Sequence, residues 1–279
     1  NFYDWQVSNY YLNYTNNAIT RKWLTNAPKG VSANNPKNQK VQITDEGWLY
    51  FLLDHSFDPI EFADITAYDS AGGIVSIGAT SIKMLKIPFA PNTINNIITT
   101  DFVGTVVQPI ITSSVTSYKI ILKTTSTQVS EEIWFNVDSE CRYETRRLEF
   151  LNSLGGFDGF NFTKVSRRSE TIERKYFKQN ADNLSGGVID YNLNDRQKVQ
   201  YYTKSMPKMK LTSDWVNVAT FNWLLEMIES PEIYLYENGQ RVAIQNIEGN
   251  WEEKRTDTDS VFNLELTLEF GMDNYRQRY

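Results

Sequence analysis

The 279-residue sequence contains a single cysteine, Cys141, and a single histidine, His55. One cysteine cannot close an internal disulfide, and one imidazole excludes any centre that needs two, which covers most catalytic zinc sites. A Ser-His-Asp or Cys-His machine would have to rest on His55 alone. That residue sits in Asp54-His55-Ser56-Phe57-Asp58, an acidic context that reads as a surface loop. Cys141 has no histidine beside it to lower its pKa and reads as a small apolar residue at a domain junction. Positive charge is also short. Against 34 Asp and Glu stand 28 Lys and Arg, a net charge of -6, so nonspecific binding to nucleic acid or to an anionic membrane has no basis in the chain as a whole. The longest apolar runs, such as Ile97-Ile98 and Ile110-Ile111, stop within a few residues, far below the roughly 20 needed for a membrane span. The expectation is no membrane span and no nucleic-acid partner. The chain opens on Asn1 with no charged-then-apolar leader, which fits a processed, trimmed or longer chain.

What is present is a foldable composition: 41% hydrophobic and 22% charged residues, enough apolar side chains to bury a core. At about 100–200 residues per domain, two domains are expected, with one large all-β unit as the alternative. Residues 1–38 are rich in Asn and aromatics, with Trp5, Tyr10, Tyr11, Tyr14 and Trp23 at no steady period and Pro/Asn turns at 26–28 and 34–36. This stretch reads as an extended aromatic arm or an incomplete domain edge, whose tryptophans need a surface on this chain or a neighbour. Residues 39–140 alternate with period two in short runs separated by Gly, Pro and Ser/Thr, the pattern of a β-sandwich-like domain. Residues 92–99 suit either a short helix or a strand.

After the polar break at 138–140 a second domain is expected over 141–279, an α+β unit with an antiparallel sheet and one long helix. The overall class is therefore mainly β. Within 147–162, Gly155, Gly156 and Gly159 supply positive φ or close approach between aromatic strands. Strands are expected at 171–178 and 199–203. A helix is predicted over Ser213–Ser230, with Trp215, Val218, Phe221, Leu224, Leu225 and Ile228 on one face, a cap at Ser213 or Asp214 and a stop at Pro231. A hairpin around Asn238-Gly239 and a final strand from Phe262 to Phe270 complete the domain.

The motifs that could carry chemistry do not add up to a centre. No glycine pattern matches a phosphate loop or a dinucleotide fingerprint. Asp190, Asn192 and Asn194 begin like a calcium loop, but Asp195 replaces its turn glycine and Tyr201 its bidentate glutamate. Acidic pairs such as Glu131 with Glu132 and Glu265 with Glu269 fall on adjacent or wet strand positions rather than across a cleft. Ser205-Met206-Pro207-Lys208 has the spacing of a Ser-Lys nucleophile, and Pro207 breaks the helix that motif requires. Three glycosylation acceptors, Asn13, Asn161 and Asn183, are what chance gives a chain with 26 asparagines. No catalytic, cofactor-binding or metal-ligating residue is assigned, and no cofactor is expected. The aromatic content of 14% reads either as a stacking platform for sugar rings built on Trp5, Tyr10, Tyr11 and Trp23, or as core and subunit-interface residues, the preferred reading.

Two stretches together resemble a known group. Cys141-Arg142-Tyr143 leading into Leu148–Asp158, and the terminal Phe262–Phe270, resemble virion and tail structural proteins of phages that infect Bacteroidetes, including crAss-like phages. Trp23–Pro28 and Glu46–Leu53 are similar to the upstream domain of the same group. The resemblance implies a non-enzymatic virion component, a ring or hub element of the tail or head-to-tail region, assembled in the host cytoplasm from copies of itself and other virion proteins. It carries no catalytic residue over. A carbohydrate-binding or adhesin module using the N-terminal aromatics is the alternative, and a hydrolase the weakest reading.

Overall fold

A computed structural model describes residues 22–35, 37–52, 62–72, 74–81, 86–101, 109–123, 127–139, 142–179, 183–185, 187–190, 194, 196–237, 239–246, 261–272 and 274–276. Half of the residues are in strands and a tenth in helices, so the fold is mainly β, as the period-two patterning indicates.

The first half contains β1 (Lys22–Trp23), β2 (Gln39–Val41), β3 (Trp48–Leu52), β4 (Phe62–Tyr68), β5 (Ile74–Ser81), β6 (Lys86–Pro88), α1 (Pro91–Asp101), β7 (Ser117–Lys123) and β8 (Ile133–Val137). They make a three-stranded sheet, β1-β3-β6, and a five-stranded sheet, β2-β8-β7-β4-β5, antiparallel except for the β2–β8 pair. Alternation does the sorting: Ala63, Ile65 and Ala67 of β4 are fully buried, while Asp64 and Thr66 between them are half-buried. One core joins the sheets. Trp23, Phe51 and Ile87 from the smaller sheet meet Ile65, Ile120 and Phe135 from the larger. The Phe135 ring stacks against both Phe89 and Tyr118 at 5.1 Å, and the Tyr118 hydroxyl donates to the Phe89 carbonyl at 2.6 Å. The segment that suited helix or strand is the helix α1. Pro91, its first residue, has φ preset for a helix start, and Asn95 exchanges side-chain hydrogen bonds with the Ile111 backbone at 2.8 and 3.0 Å.

The second half contains β9 (Arg146–Leu151), β10 (Phe157–Phe162), β11 (Arg167–Lys178), β12 (Asn183–Ser185), β13 (Val188–Asp190), β14 (Lys198–Thr212), β15 (Val216–Asn217), α2 (Val218–Glu229), β16 (Ile233–Glu237), β17 (Gln240–Asn246), β18 (Val261–Phe262), β19 (Glu265–Phe270) and β20 (Asn274–Arg276). The main sheet runs β10-β9-β16-β17-β19-β14-β11, with β20 also paired to β14. α2 covers one face. Its Trp223, Leu224 and Met227 share a second core with Phe150, Leu235, Leu211, Leu266 and Leu268.

The predicted helix over Ser213–Ser230 starts five residues late. Ser213 is held extended by its N–H on the Leu264 carbonyl and by the Leu264 N–H on its hydroxyl, both at 2.8 Å, and Val216-Asn217 pairs with Val261-Phe262. Tertiary pairing thus overrides local propensity. Asn217, rather than Ser213 or Asp214, is the cap, accepting from the Thr220 N–H at 2.9 Å. The buried face turns with the start: Phe221, Trp223, Leu224 and Met227 point inward, and Trp215 is left 64% exposed. The final strand is likewise divided into β18 and β19 by the Ser213 contact, although Leu264, Leu266 and Leu268 are buried in the expected alternation.

Of the N-terminal aromatics, Trp5, Tyr10, Tyr11 and Tyr14 lie outside the described residues. Trp23 lies on the chain's own core: it is 1% exposed, packs edge-on to Phe51 and donates from Nε1 to the Glu131 carbonyl at 3.1 Å. The chain then crosses to the second half. The Leu24 carbonyl accepts from Asn152 Nδ2 at 2.8 Å, Asn26 donates to Glu226 at 2.7 Å, and Ala27 is buried in the second core. Gly156 makes this crossing possible, because a Cβ there would collide with the Leu24 carbonyl.

Candidate assembly surface

β11 and β14 form an arm. β14 has 15 residues, roughly 50 Å at about 3.3 Å per residue. Only Lys208–Thr212 pairs with β19 and only Thr203–Ser205 with β20, whereas β11 pairs with β14 from Lys198 to Lys210. The pairing holds these strands extended beyond the packed sheet, and all 12 residues of β11 are exposed. Residues directly paired across an antiparallel ladder share a face. Ile172 with Ser205 and Tyr176 with Gln200 therefore occupy one face, and Thr171 with Met206 and Phe177 with Val199 the other. A strand pair with one buried side would sort its apolar residues to that side. This one places them on both.

The ladder shifts register between Lys175 and Tyr176, leaving Tyr201 as an extra residue on β14, a bulge that re-aims a side chain. Tyr201 and Phe177 stand 6.2 Å apart, 53% and 46% exposed, with Tyr176 and Ile172 exposed to similar degrees. The charges are uneven along the length. At the base, Lys210 pairs with Glu265 at 2.7 Å, Lys208 with Glu269 at 3.7 Å and Arg168 with Glu237. Among the described residues Arg167, Arg174, Lys178, Arg196 and Lys198 form no ion pair. The arm is thus an extended ribbon with apolar rings and cations facing water, suited to lie along a protein surface.

The junction between the halves inverts this chemistry. Arg147 and Glu149 of β9 are 5% and 4% exposed. Arg147 Nη1 lies 3.6 Å from Asp45 Oδ2 and donates to Asn161 Oδ1 at 3.3 Å, its guanidinium sits over Phe89, and Asn161 in turn donates to Asp45. Gly159 leaves room for it, since a Cβ there would strike the guanidinium. Nearby, Trp223 Nε1 donates to Asp158 at 2.8 Å, and the polar side chains of Thr25 and Asn152 stand beside that carboxylate. Burial pushes the Asp158 pKa up to about 6, the polar side chains of Thr25, Trp223 and Asn152 oppose the rise, and the charge of Glu226 adds to it.

A cavity of about 70 Å³ opens at the same junction, lined by Lys40, Asn161, Trp215 and Trp223 among others. Among the described residues its one carboxylate is Asp214. Partial burial disfavours that charge, but the Trp215 N–H, Lys164 at 3.1 Å and Lys40 hold its pKa below the usual value. Among the described residues no second carboxylate lines the cavity for paired acid and base work.

The residues weighed in the sequence are scattered. Glu131 pairs with Lys29, and Glu132 with Lys119 at 2.9 Å. Glu265 and Glu269 are tied to the arm's base, and Ser205 and Lys208 lie on β14, in a strand. Asn161 is buried at the junction, and Asn183 is in β12. His55, Cys141, Asn13, Asn192 and Asp195 lie outside the described residues. Among the described residues no three His, Cys, Asp or Glu group closely enough to hold a metal ion, and no helix is long and apolar enough to cross a membrane. Sequence reasoning found both arm strands as the fragments 171–178 and 199–203 but not their union. The available signal was a pair of adjacent rings in each run, Tyr176-Phe177 and Tyr201-Tyr202, which puts rings on both faces of a strand, with Arg and Lys on both faces of 171–178. No protein-family model, curated protein or solved structure matches the chain.

Proposed function

We propose that this chain is a non-enzymatic structural subunit of a bacteriophage virion, a ring or hub component of the tail or head-to-tail region that associates with copies of itself and with other virion proteins. The observation that carries the assembly part is the β11–β14 arm, whose Ile172, Tyr176, Phe177 and Tyr201 are about half exposed and, among the described residues, belong to no buried core cluster. The virion assignment draws on the resemblance of the 141–158 and 262–270 segments to phage virion proteins. An arm that leaves one subunit must meet an unlike surface on the next, and such head-to-tail contacts close into rings when the rotation permits. The glycan-binding alternative loses one of its proposed stacking residues, because the Trp23 ring is buried under the first core.

The test is the mass of the purified full chain by sedimentation velocity and mass photometry, with electron microscopy of the same sample. Closed oligomers of fixed copy number are expected. A strict monomer at tens of micromolar, alone and with candidate virion neighbours, would overturn the assignment.

A further inference from the structure

The sequence is acidic overall, yet its charge is sharply partitioned. Residues 167–212, which span the arm, hold ten Lys and Arg against five Asp and Glu, in a chain with 28 against 34. The segment that follows, 213–240, holds five acidic residues and no Lys or Arg; Asp214 is paired with Lys40 and Lys164, and Glu237 with Arg146 and Arg168, which leaves Glu226, Glu229 and Glu232 on and beside α2. That segment is built around α2. Glu229, Pro231 and Glu232 are exposed at its end, and Trp215 and Val218, 64% and 40% exposed, at its start. No basic residue stands in the last turn of α2 to answer its C-terminal dipole. A cationic ribbon with rings and an anionic helix surface with exposed apolar residues are therefore complementary in both charge and polarity.

Within one chain the two touch at the arm's base, where Arg168 pairs with Glu237, while among the described residues Arg174, Lys178 and Lys198 form no ion pair with this segment. α2 leans on the β9–β10 side of the sheet, Trp223 lying 5.7 Å from the Phe150 ring and 6.1 Å from the Phe160 ring. The arm leaves from β11 and β14 at the opposite end of the strand order. We propose that the β11–β14 arm of one subunit docks along the acidic α2 surface of the next, in register with Glu229 and Glu232. This deepens, and rests on, the assembly reading above. A donor at one edge and an acceptor at the other is the arrangement that propagates from subunit to subunit. A nucleic acid is the competing occupant of a cationic, ring-bearing ribbon. The acidic α2 segment on the same sheet and the net charge of -6 favour a second copy.

Charge reversal in the full chain tests the pairing. One variant carries Arg174→Glu, Lys178→Glu and Lys198→Glu on the arm, the second Glu229→Lys and Glu232→Lys beside α2, and the third combines them. All five positions are exposed, so circular dichroism should show each variant folded. By sedimentation velocity at low salt, each single-surface variant should assemble about tenfold more weakly than wild type, and the combined variant should recover most of that loss. A monomeric wild type would remove the assembly reading and this pairing with it. A wild type that assembles, beside variants that assemble equally well or a combination that does not recover, would remove the arm–α2 pairing alone. Fluorescence anisotropy with a labelled single-stranded oligonucleotide provides the other arm. Saturable binding lost in the first variant and competitive with assembly would assign the ribbon to nucleic acid and overturn the proposal; its absence supports the protein contact.

Discussion

The junction of the two halves and the β11–β14 arm break the ordinary sorting of side chains in opposite senses. At the junction, charged groups are inside: Arg147, Glu149, Asp45 and Asp158 are each less than a tenth exposed. On the arm, rings and branched apolar groups are outside. Buried polar groups are costly unless partnered, and the partners here come from both halves of the chain, so their geometry fixes how the halves sit together. Exposed apolar groups gain nothing inside the monomer and can be stabilising only against another molecule. One region therefore organises the chain's own fold, and the other is the surface on which the proposed assembly rests. Substitutions separate the two roles.

The largest effect belongs to Arg147. Its Nη1 serves Asp45 and Asn161, and Nε stands 3.9 Å from Glu149, while Nε and Nη2 lack hydrogen-bond partners in the buried site. Glu149 also meets Arg241 at 2.6 Å, in contact but without hydrogen-bond alignment at its buried Oε2. Truncation by Arg147→Ala leaves Asp45 without its cation in a dry site, an operation that costs about 3–5 kcal/mol. Urea denaturation should show that loss. A change below about 1 kcal/mol would mean the junction is hydrated and does not hold the halves together.

Asp158 gives the next largest effect and sharpens the comparison through its pH dependence. Its folded pKa of about 6 lies above the ordinary 3.8, so the folded state binds a proton more tightly than the unfolded. The sign follows: this group's contribution is fully present below pH 3.8, declines as pH rises, and is lost above about 6. Asp158→Asn keeps an acceptor for Trp223 and removes the charge. The variant should be more stable than wild type by on the order of 1–3 kcal/mol at pH 7.5, with the gap closing toward pH 4. Parallel denaturation curves at both pH values check it, and a gap that does not vary with pH would show that Asp158 is solvated.

How legible each region was in the sequence follows from the same physics. Alternation within Phe62–Tyr68 and Glu265–Phe270 was readable because one face of each strand meets a core. The glycines at 155, 156 and 159 were readable as turn and close-approach positions; Gly155 does take φ +87°, and the other two make room for Leu24 and Arg147. What they make room for was not readable, because Asp45 and Arg147 are about a hundred positions apart and meet only through packing. The start of α2 was misplaced because the contacts that hold Ser213 extended come from Leu264. The arm was invisible as a unit for the converse reason. With both faces wet, its strands carry no apolar alternation, and the fragments 171–178 and 199–203 read as two separate strands, the first with its charges on one face, whereas Glu173 and Arg174 stand on opposite faces.

The smallest expected effect on the monomer is therefore the most telling. Phe177→Ser with Tyr201→Ser removes two rings that touch each other at 6.2 Å and little else that is buried. Surface changes of this kind usually shift stability by no more than about 0.5 kcal/mol, an effect near the precision of a urea curve. If the arm lies on a neighbour, the same two rings become interface anchors, and aromatic anchors typically cost 2 kcal/mol or more on truncation, roughly a thirtyfold loss in affinity. Monomer stability and assembly should thus respond in opposite proportion at the arm and at Arg147. A double variant that loses stability along with assembly would place the rings in the subunit's own structure and erase the distinction between the two regions.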